Sequence, residues 1–394
     1  MSWESIPSYS LQSTDPDREE YLRTRLRDWQ DAASVRIEPR VTSADTAAAM
    51  AKLLLQASQG RAPDVAQVDG YIFGRMARYA APLDDQMGGA DLRLDDWFPS
   101  LQGVMTAGGD RVRALHCTTD VRVLYFRKDL IDEPPTTWDE VLSIAGGLSP
   151  DDGNAVLFPA GRGEGAVTTT LWPLFWAQGA ELFDDDGRVA FESGRGYDAM
   201  RAALDVVGRM IGEGATPRRV ATFATEDDQT SDVVAGRAAM FIGGNWQAAA
   251  IDSALEDGSF FDDWDVAPLP TLAGGAPVTS AGGWVWASFA GDREQVDAGI
   301  DWVIDAYVSD EGMARWCSIG GYLPPRQSVY ELPEYEQNPF TAAFREHLAE
   351  YARPRPAARD YLQTSDSLQV ALSSVAAGTA SPDQALDDAL HRIV

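Results

Sequence analysis

The sequence predicts an α/β protein built from more than one folding unit. Its 394 residues are enough for two or three units that each bury a core of their own. Strand-like and helix-like patterns alternate from the start, and several helices begin at capping residues. This alternation is typical of a parallel sheet covered by helices.

The first elements run strand, helix, strand, helix, strand. The first helix begins at Asp15 and Pro16, because an acid can accept the free N–H groups there and proline fits the first helical position. Leu22 and Leu26 then recur at helical spacing. We predict strands over residues 2–9, 35–41 and 64–68, with a second helix from about Asp45 to 58.

The rest of the chain continues the α/β pattern. Thr137 and Glu140 have the spacing of a capping box, and Ser381 with Pro382 begins the last helix. An acidic turn is predicted at 184–187. The remaining predicted elements are strands at 111–116, 121–126, 238–242 and 264–267, a buried helix at 171–176 and a helix at 194–211.

The net charge of the chain argues against some classes of function. There are 61 acidic and 32 basic side chains, a net charge of −29. Such a chain repels phosphate backbones and anionic lipid headgroups, which argues against nucleic-acid binding. Lys52 and Lys128 are the only lysines, and the acids are spread along the whole chain. This pattern resembles the proteins of salt-loving archaea, in which salt screens the repulsion between carboxylates.

Catalytic and metal-binding motifs are not found. The three histidines are far apart in sequence, and no cofactor or metal is predicted. We interpret the glycine-rich segment 161–165 as a flexible loop, because it has no phosphate-loop lysine. Cys117 and Cys317 are too few for a disulfide framework, and whether they are paired stays open. Paired carboxylates that hydrolyse a glycoside also stay open as an alternative.

Aromatic residues beside glycine are the strongest hint of a binding site. The chain has 12 tryptophans, and two of them end the segments 244–246 and 282–284, while a tyrosine lies in 321–324. An indole or phenol ring offers a flat apolar face with a polar tip, which suits the C–H faces of a sugar. The placement of these rings at strand ends therefore favours a binding cleft.

Eight segments, in order along the chain, resemble the extracellular solute-binding proteins of carbohydrate ABC importers, the maltose-binding-protein-like family. They are residues 62–69, 119–130, 134–140, 179–183, 236–246, 267–270, 282–284 and 320–326.

The resemblance implies a two-lobed periplasmic-binding-protein-like fold with discontinuous lobes joined by a hinge. Lobe one would comprise residues 1–119 plus 279–321, and lobe two 120–278 plus 322–394. A ligand cleft between them would close on a sugar and present it to ABC permease subunits in the membrane. The protein would be a monomer, and not an enzyme.

The family is extracytoplasmic, at the cell surface or secreted, often as a lipoprotein. The chain starts without a signal peptide or a lipid-anchor cysteine, which by itself favours either the cytoplasm or the removal of a leader.

By resemblance, Asp120 and Asp69 accept hydrogen bonds from sugar hydroxyls, and Trp246 stacks on the sugar. Arg122 is either a ligand contact or a hinge ion-pair partner. Small residues at 167–170 argue against maltodextrin specifically. The other alternative is the same fold with a non-sugar solute such as glycerol phosphate. The expected ligand-binding residues are Tyr9, Asp69, Asp120, Arg122, Trp172, Asn245, Trp246, Gly283, Trp284, Tyr322 and Arg326.

Overall fold

The chain divides into two compact units, each made from two separate stretches of sequence. The computed structural model describes residues 1–43, 46–149, 153–255, 258–272 and 274–393. Unit 1 comprises Met1–Asp120 and Gly282–Gln337, and unit 2 comprises Val121–Ala281 and Asn338–Val394. The chain therefore passes from one unit to the other three times, after Asp120, Ala281 and Gln337.

Apart from Asp120, which was assigned to lobe two but belongs to unit 1, these boundaries differ from the predicted lobes at two places. Residues 322–337 were assigned to lobe two but belong to unit 1, where Leu323 bridges to Thr119 and Arg326 bridges to Trp97. Residues 279–281 were assigned to lobe one but belong to unit 2, where they pair with a strand at 352–354. Backbone pairing, which the sequence does not reveal, decides both assignments.

The strands, in chain order, are β1 (Ser2–Ser5), β2 (Glu38–Val41), β3 (Val65–Asp69), β4 (Leu115–His116), β5 (Arg122–Arg127), β6 (Asn154–Leu157), β7 (Ala238–Gly244), β8 (Trp264–Ala267), β9 (Thr279–Ala281), β10 (Trp284–Ser288) and β11 (Ala352–Pro354). The helices are α1 (Pro16–Ala33), α2 (Thr46–Ser58), α3 (Gly70–Met76), α4 (Asp84–Gly89), α5 (Pro99–Thr106), α6 (Trp138–Ala145), α7 (Glu164–Ala166), α8 (Trp172–Trp176), α9 (Gly194–Gly212), α10 (Thr230–Val234), α11 (Trp246–Ala254), α12 (Phe260–Asp263), α13 (Arg293–Val303), α14 (Asp310–Gly320), α15 (Thr341–Glu350), α16 (Tyr361–Ala377) and α17 (Pro382–Ile393).

Unit 1 is built on a five-stranded sheet in the order β2-β1-β3-β10-β4. Strand β1 is parallel to β2 and β3, as predicted, whereas β10 runs antiparallel to β3 and β4. The predicted strand over 2–9 ends at Ser5, and a 3-10 turn follows over Pro7–Tyr9. Proline has no N–H to donate to a strand ladder, and its fixed φ suits the first position of a turn.

Unit 2 is built on a four-stranded sheet in the order β6-β7-β5-β8, with β9 and β11 as a separate parallel pair. Strand β5 is antiparallel to β7 and β8. The buried helix predicted over 171–176 is longer, because α7, a π-helical turn at Val167–Leu171 and α8 follow one another without a break.

The predicted helix starts are confirmed where the structure describes them. The Asp15 carboxylate accepts the N–H groups of Asp17 and Arg18 at 3.0 and 3.3 Å, and Thr137 and Glu140 form both bonds of the capping box. The predicted start at Asp45 lies outside the described residues, and α2 is described from Thr46.

Among the described residues, no helix is both long enough and apolar enough to cross a bilayer.

Candidate functional site

Two tryptophans differ from all the others in exposure. Ten of the 12 are buried, and the two that are half-buried are Trp246 in unit 2 and Trp284 in unit 1. A large aromatic ring that keeps part of its surface in water has a face left for a ligand. Each unit therefore contributes one such ring, and both were among the residues predicted to bind ligand.

The backbone around Trp246 is fixed by its neighbours in unit 2. Strand β7 ends at Gly244, and α11 begins at Trp246. Between them, buried Asn245 exchanges two hydrogen bonds with Val121: its N–H donates to the Val121 carbonyl, and its Oδ1 accepts the Val121 N–H, both at 3.1 Å. A Cβ at position 244 would lie 2.1 Å from the indole ring. Only glycine leaves room for the ring there.

Charged side chains surround the Trp246 ring. The indole Nε1–H donates to Oδ1 of Asp227 at 3.2 Å, and the Arg122 guanidinium carbon lies 5.1 Å from the ring centroid, over its face. Arg122 itself is buried and paired with Glu226, with 3.0 Å between Nε and Oε1. Arg122 therefore forms an ion pair inside unit 2, and its contact with a ligand stays a prediction.

Thr169 contacts both members of this buried ion pair. Its hydroxyl donates to Oε1 of Glu226, and Nε of Arg122 lies 3.4 Å from Oγ1 of Thr169. Position 169 falls in the segment 167–170 that the sequence singled out for its small residues, and all four of them are buried.

The segment 161–165, predicted to be a flexible loop, is closely packed instead. A Cβ at Gly161 would lie 2.6 Å from the Phe223 carbonyl oxygen, and one at Gly163 would lie 2.4 Å from that of Ala224. At Gly165 the nearest atom would be a Glu226 carboxylate oxygen, at 2.9 Å. The three glycines allow this segment to lie directly against residues 223–226, which include Glu226, the ion-pair partner of Arg122.

Trp284 occupies a tightly built strand end in unit 1. It begins β10 and stands opposite Asp69 at the end of β3. Gly283 before it has φ +125°, and a Cβ there would lie 2.1 Å from the Thr118 carbonyl oxygen. Asp69 caps α3 by accepting the Tyr71 N–H at 3.4 Å. Asp69 and Trp284 are thus neighbours on adjacent strands.

Tyr9 and Tyr322 join Trp284 in one aromatic cluster. The ring of Tyr9 is stacked on Tyr322 at 5.7 Å and lies 5.9 Å from that of Trp284. Tyr9 is fully buried, and its hydroxyl shares a hydrogen bond of 3.0 Å with Thr118. Burial raises the pKa of the Tyr9 hydroxyl well above its usual value, so it stays protonated. Tyr322 is half-buried, and its hydroxyl accepts a bond from Arg18 at 3.2 Å.

Trp172 and Arg326, also predicted to contact ligand, each have structural partners within their own unit. Trp172 is fully buried in unit 2 and donates its Nε1–H to the Tyr361 hydroxyl at 3.0 Å. Arg326 is buried in unit 1, where it pairs with Asp96 and Asp310, both at 2.8 Å. These contacts make both residues part of their unit's framework.

Asp120 lies at the first passage between the units. It bridges to Gly282, the first residue of unit 1 after the second passage. In unit 2, the N–H of Arg122 donates to the Thr279 hydroxyl at 2.9 Å. The backbone around Asp120 is thus held by the neighbouring stretch of chain in each unit.

Glu226 and Asp227 were missed by the sequence analysis. They lie in an acidic run, 226–228, of a chain with 61 acidic residues. Nothing in that run distinguishes a carboxylate that pairs with a buried arginine from one in solvent. The only related feature of the sequence is the spacing of the glycines at 161, 163 and 165. It indicates close packing, but it does not show that residues 223–226 are the segment packed there.

In the part of the chain that the structure describes, the cysteines form no disulfide and the acids form no metal-binding group. Cys117 and Cys317 are both free and buried, and burial raises the pKa of each thiol. Within the described ranges, no group of three or more His, Cys, Asp or Glu residues is arranged to hold a metal ion.

Comparisons with known proteins agree with this architecture. A probable ABC transporter-binding protein of Deinococcus radiodurans is 24% identical over 338 residues, which cover 82% of this chain and 77% of that protein. A maltooligosaccharide ABC transporter solute-binding lipoprotein of Streptococcus pneumoniae is 23% identical over 301 residues, 74% of this chain and 66% of that protein. The solved structure of maltose-bound MalE3 of T. maritima superposes with a TM-score of 0.81 at 23% identity, over 100% of this chain and 98% of the other. This likeness shows that the fold is the two-lobed one of maltose-binding proteins.

The family model of the bacterial extracellular solute-binding proteins matches residues 28–343, most of the chain. The match spans both units and includes Trp246 and Trp284. The protein belongs to the bacterial extracellular solute-binding protein family.

Proposed function

We propose that the protein captures a neutral sugar or oligosaccharide outside the cytoplasm and delivers it to the permease of an ABC importer. The observation that carries the proposal is the pair of half-buried tryptophans, one in each unit, in a chain whose other ten tryptophans are buried. Indole faces bind the C–H faces of sugar rings, and carboxylates such as Asp69 accept bonds from the hydroxyls. The Streptococcus pneumoniae relative is named for maltooligosaccharides, and the T. maritima structure holds maltose.

The charges of the expected site favour a neutral ligand over a phosphorylated one. A phosphate group needs cations whose charge is available. Arg122 and Arg326, the two cations among the expected site residues, are already ion-paired with Glu226 and with Asp96 and Asp310. Glycerol phosphate would have to compete with those carboxylates, so we rank it below an uncharged sugar.

The remaining expectations from the family stay proposals. These are closure of the two lobes on the ligand, a monomeric state and attachment as a lipoprotein. Asp69, Asp120, Trp246, Trp284 and Tyr322 are the proposed ligand contacts. Asn245 and Gly283 set the backbone next to the two tryptophans.

A ligand screen tests the function directly. Thermal unfolding is followed with mono- and oligosaccharides, polyols, glycerol phosphate and amino acids, and isothermal titration measures the affinity of each ligand that shifts the melting temperature. A ligand at about 100 times its dissociation constant adds about 2.7 kcal/mol to the folded state, which gives a visible shift. We expect an uncharged sugar to give it. A shift with only a charged solute, or with none of these ligands, would overturn the sugar assignment.

Two single substitutions then locate the ligand. Trp246→Ala and Trp284→Ala should each weaken sugar binding about fivefold or more, because stacking contributes on the order of 1 kcal/mol. Tyr197→Ala is the matched control, since it removes a half-buried ring on α9 that was not assigned to the site. Wild-type affinity in a folded Trp246→Ala protein would remove Trp246 from the site.

We also propose that the protein works at high salt. The net charge of −29 and the scarcity of lysine support this. Dialysis into dilute buffer should lower the melting temperature or unfold the protein, because carboxylate repulsion is then unscreened. An unchanged melting temperature from molar salt to dilute buffer would contradict the proposal.

A further inference from the structure

The Trp246 ring is held from three directions by residues of unit 2. Gly244 leaves space for the ring, Arg122 covers a face of it, and Asp227 accepts the indole N–H. Gly244 and Arg122 are paired residues of adjacent strands β7 and β5, so they stand side by side on the sheet. The ring orientation is therefore set before any ligand arrives.

Two consecutive acids, Glu226 and Asp227, hold this ring through different contacts. Glu226 pairs with the buried Arg122 guanidinium and so keeps it in place over the indole. Asp227, exposed at the next position, holds the polar edge of the same indole. The glycines of 161–165 are packed against the stretch 223–226. Glu226 is the last residue of that stretch, and Asp227 directly follows it. A closely packed backbone thus fixes both supports.

We infer that Asp227 and Arg122 are positioning residues for sugar binding, which fix the orientation of the Trp246 ring and restrict stacking to the face that Arg122 leaves open. This inference rests on the proposed function. A ring that is already oriented loses little side-chain freedom when the ligand binds, so more of the stacking energy appears as affinity. A guanidinium also occupies the face it covers, which excludes a sugar from that face.

The test uses Asp227, because truncating buried Arg122 or Glu226 would leave an unpaired charge and destabilise the fold. Asp227→Ala removes the acceptor of the indole N–H. Asp227→Asn keeps an oxygen that can accept the same bond. Asp205→Ala is the control, since it removes one negative charge from an exposed position on α9.

Sugar affinity is measured by titration with the sugar that the ligand screen identifies. We expect Asp227→Ala to weaken binding about threefold to tenfold, the range that one lost hydrogen bond allows. Asp227→Asn should stay within about twofold of the wild type, and Asp205→Ala should bind as the wild type does. Wild-type affinity in Asp227→Ala would overturn the inference. If Asp227→Asn binds as weakly as Asp227→Ala while the indole N–H stays protected, Asp227 contacts the ligand directly and the positioning role is wrong.

A second measurement needs no ligand. The indole N–H signal of Trp246 is identified in the nitrogen–proton NMR spectrum by its loss in Trp246→Phe. Its exchange with water should become severalfold faster in Asp227→Ala and stay near the wild-type rate in Asp227→Asn. Unchanged exchange in Asp227→Ala would overturn the inference even if no sugar bound. Failure of the wild type to bind any sugar would instead overturn the proposed function, so the two failures are distinguishable.

Discussion

The two half-buried tryptophans are held by different kinds of interaction. In unit 1, Trp284 lies in a cluster of rings, with Tyr9 at 5.9 Å. In unit 2, Trp246 is held by Arg122 and Asp227, which are charged. Packing between rings is insensitive to salt and to pH near neutrality, whereas an ion pair depends on both partners being present and charged. The support of the stacking ring in unit 2 should therefore be the easier one to break with a single substitution.

The largest effect should come from Glu226→Ala. It leaves the Arg122 guanidinium buried without its carboxylate partner, which costs about 3–5 kcal/mol of unfolding free energy. Chemical unfolding at constant salt measures the loss. Asp186→Ala is the control, because it breaks an ion pair with Arg188 whose side chains are both exposed, where about 0–1 kcal/mol is expected. Equal losses for the two variants would show that the buried pair is no more important than a surface one.

Acidification should destabilise the protein through one buried histidine in each unit. Burial lowers the pKa of His116 in unit 1 and of His347 in unit 2 from 6.5 to about 4, although the nearby Asp120 and Glu350 partly oppose this. Above pH 6.5 the folded and unfolded states are both neutral at these positions. Between pH 6.5 and 4 the unfolded chain takes up protons that the folded protein does not, so the unfolding free energy falls as the pH falls.

The expected loss by pH 4 is about 3 kcal/mol per histidine. His116→Gln should remove about 3 kcal/mol of the loss on acidification, because glutamine does not titrate, while the contribution of His347 remains. Chemical unfolding of both proteins at several pH values measures this difference. A pH dependence identical to that of the wild type would show that His116 takes up its proton without unfolding.

The smallest effect should come from Tyr9→Phe in the aromatic cluster. The ring contacts with Trp284 and Tyr322 are kept, and the hydroxyl bond to Thr118 is lost, which costs about 1 kcal/mol. Tyr197→Phe is the surface control, since its bond to Asp387 is solvent-exposed and should contribute little. The melting temperatures of the two variants give the comparison. A loss of several kcal/mol in Tyr9→Phe would mean that the hydroxyl, and not ring packing, holds the cluster.

The sequence by itself determined the local features of this protein. The Asp15 cap and the Thr137 capping box depend on residues within a few positions of each other, so their geometry follows from their spacing. The parallel pairing of β1 with β2 and β3 also followed from the alternation of strands and helices. The sequence also shows a glycine shortly before each of Trp246 and Trp284, but it does not show the close contacts that require those glycines.

Only the tertiary structure decided which residues surround the candidate site. Trp172 bonds to Tyr361, which is 189 positions away, and Arg326 pairs with Asp96, which is 230 positions away. Glu226 reaches Arg122 across 104 positions, and no local pattern encodes that contact. The assignment of 322–337 to unit 1 likewise depends on bridges to residues near 97 and 119. Local hydrogen bonds can be deduced from spacing, whereas the burial and pairing of a charge depend on which distant segments the fold brings together.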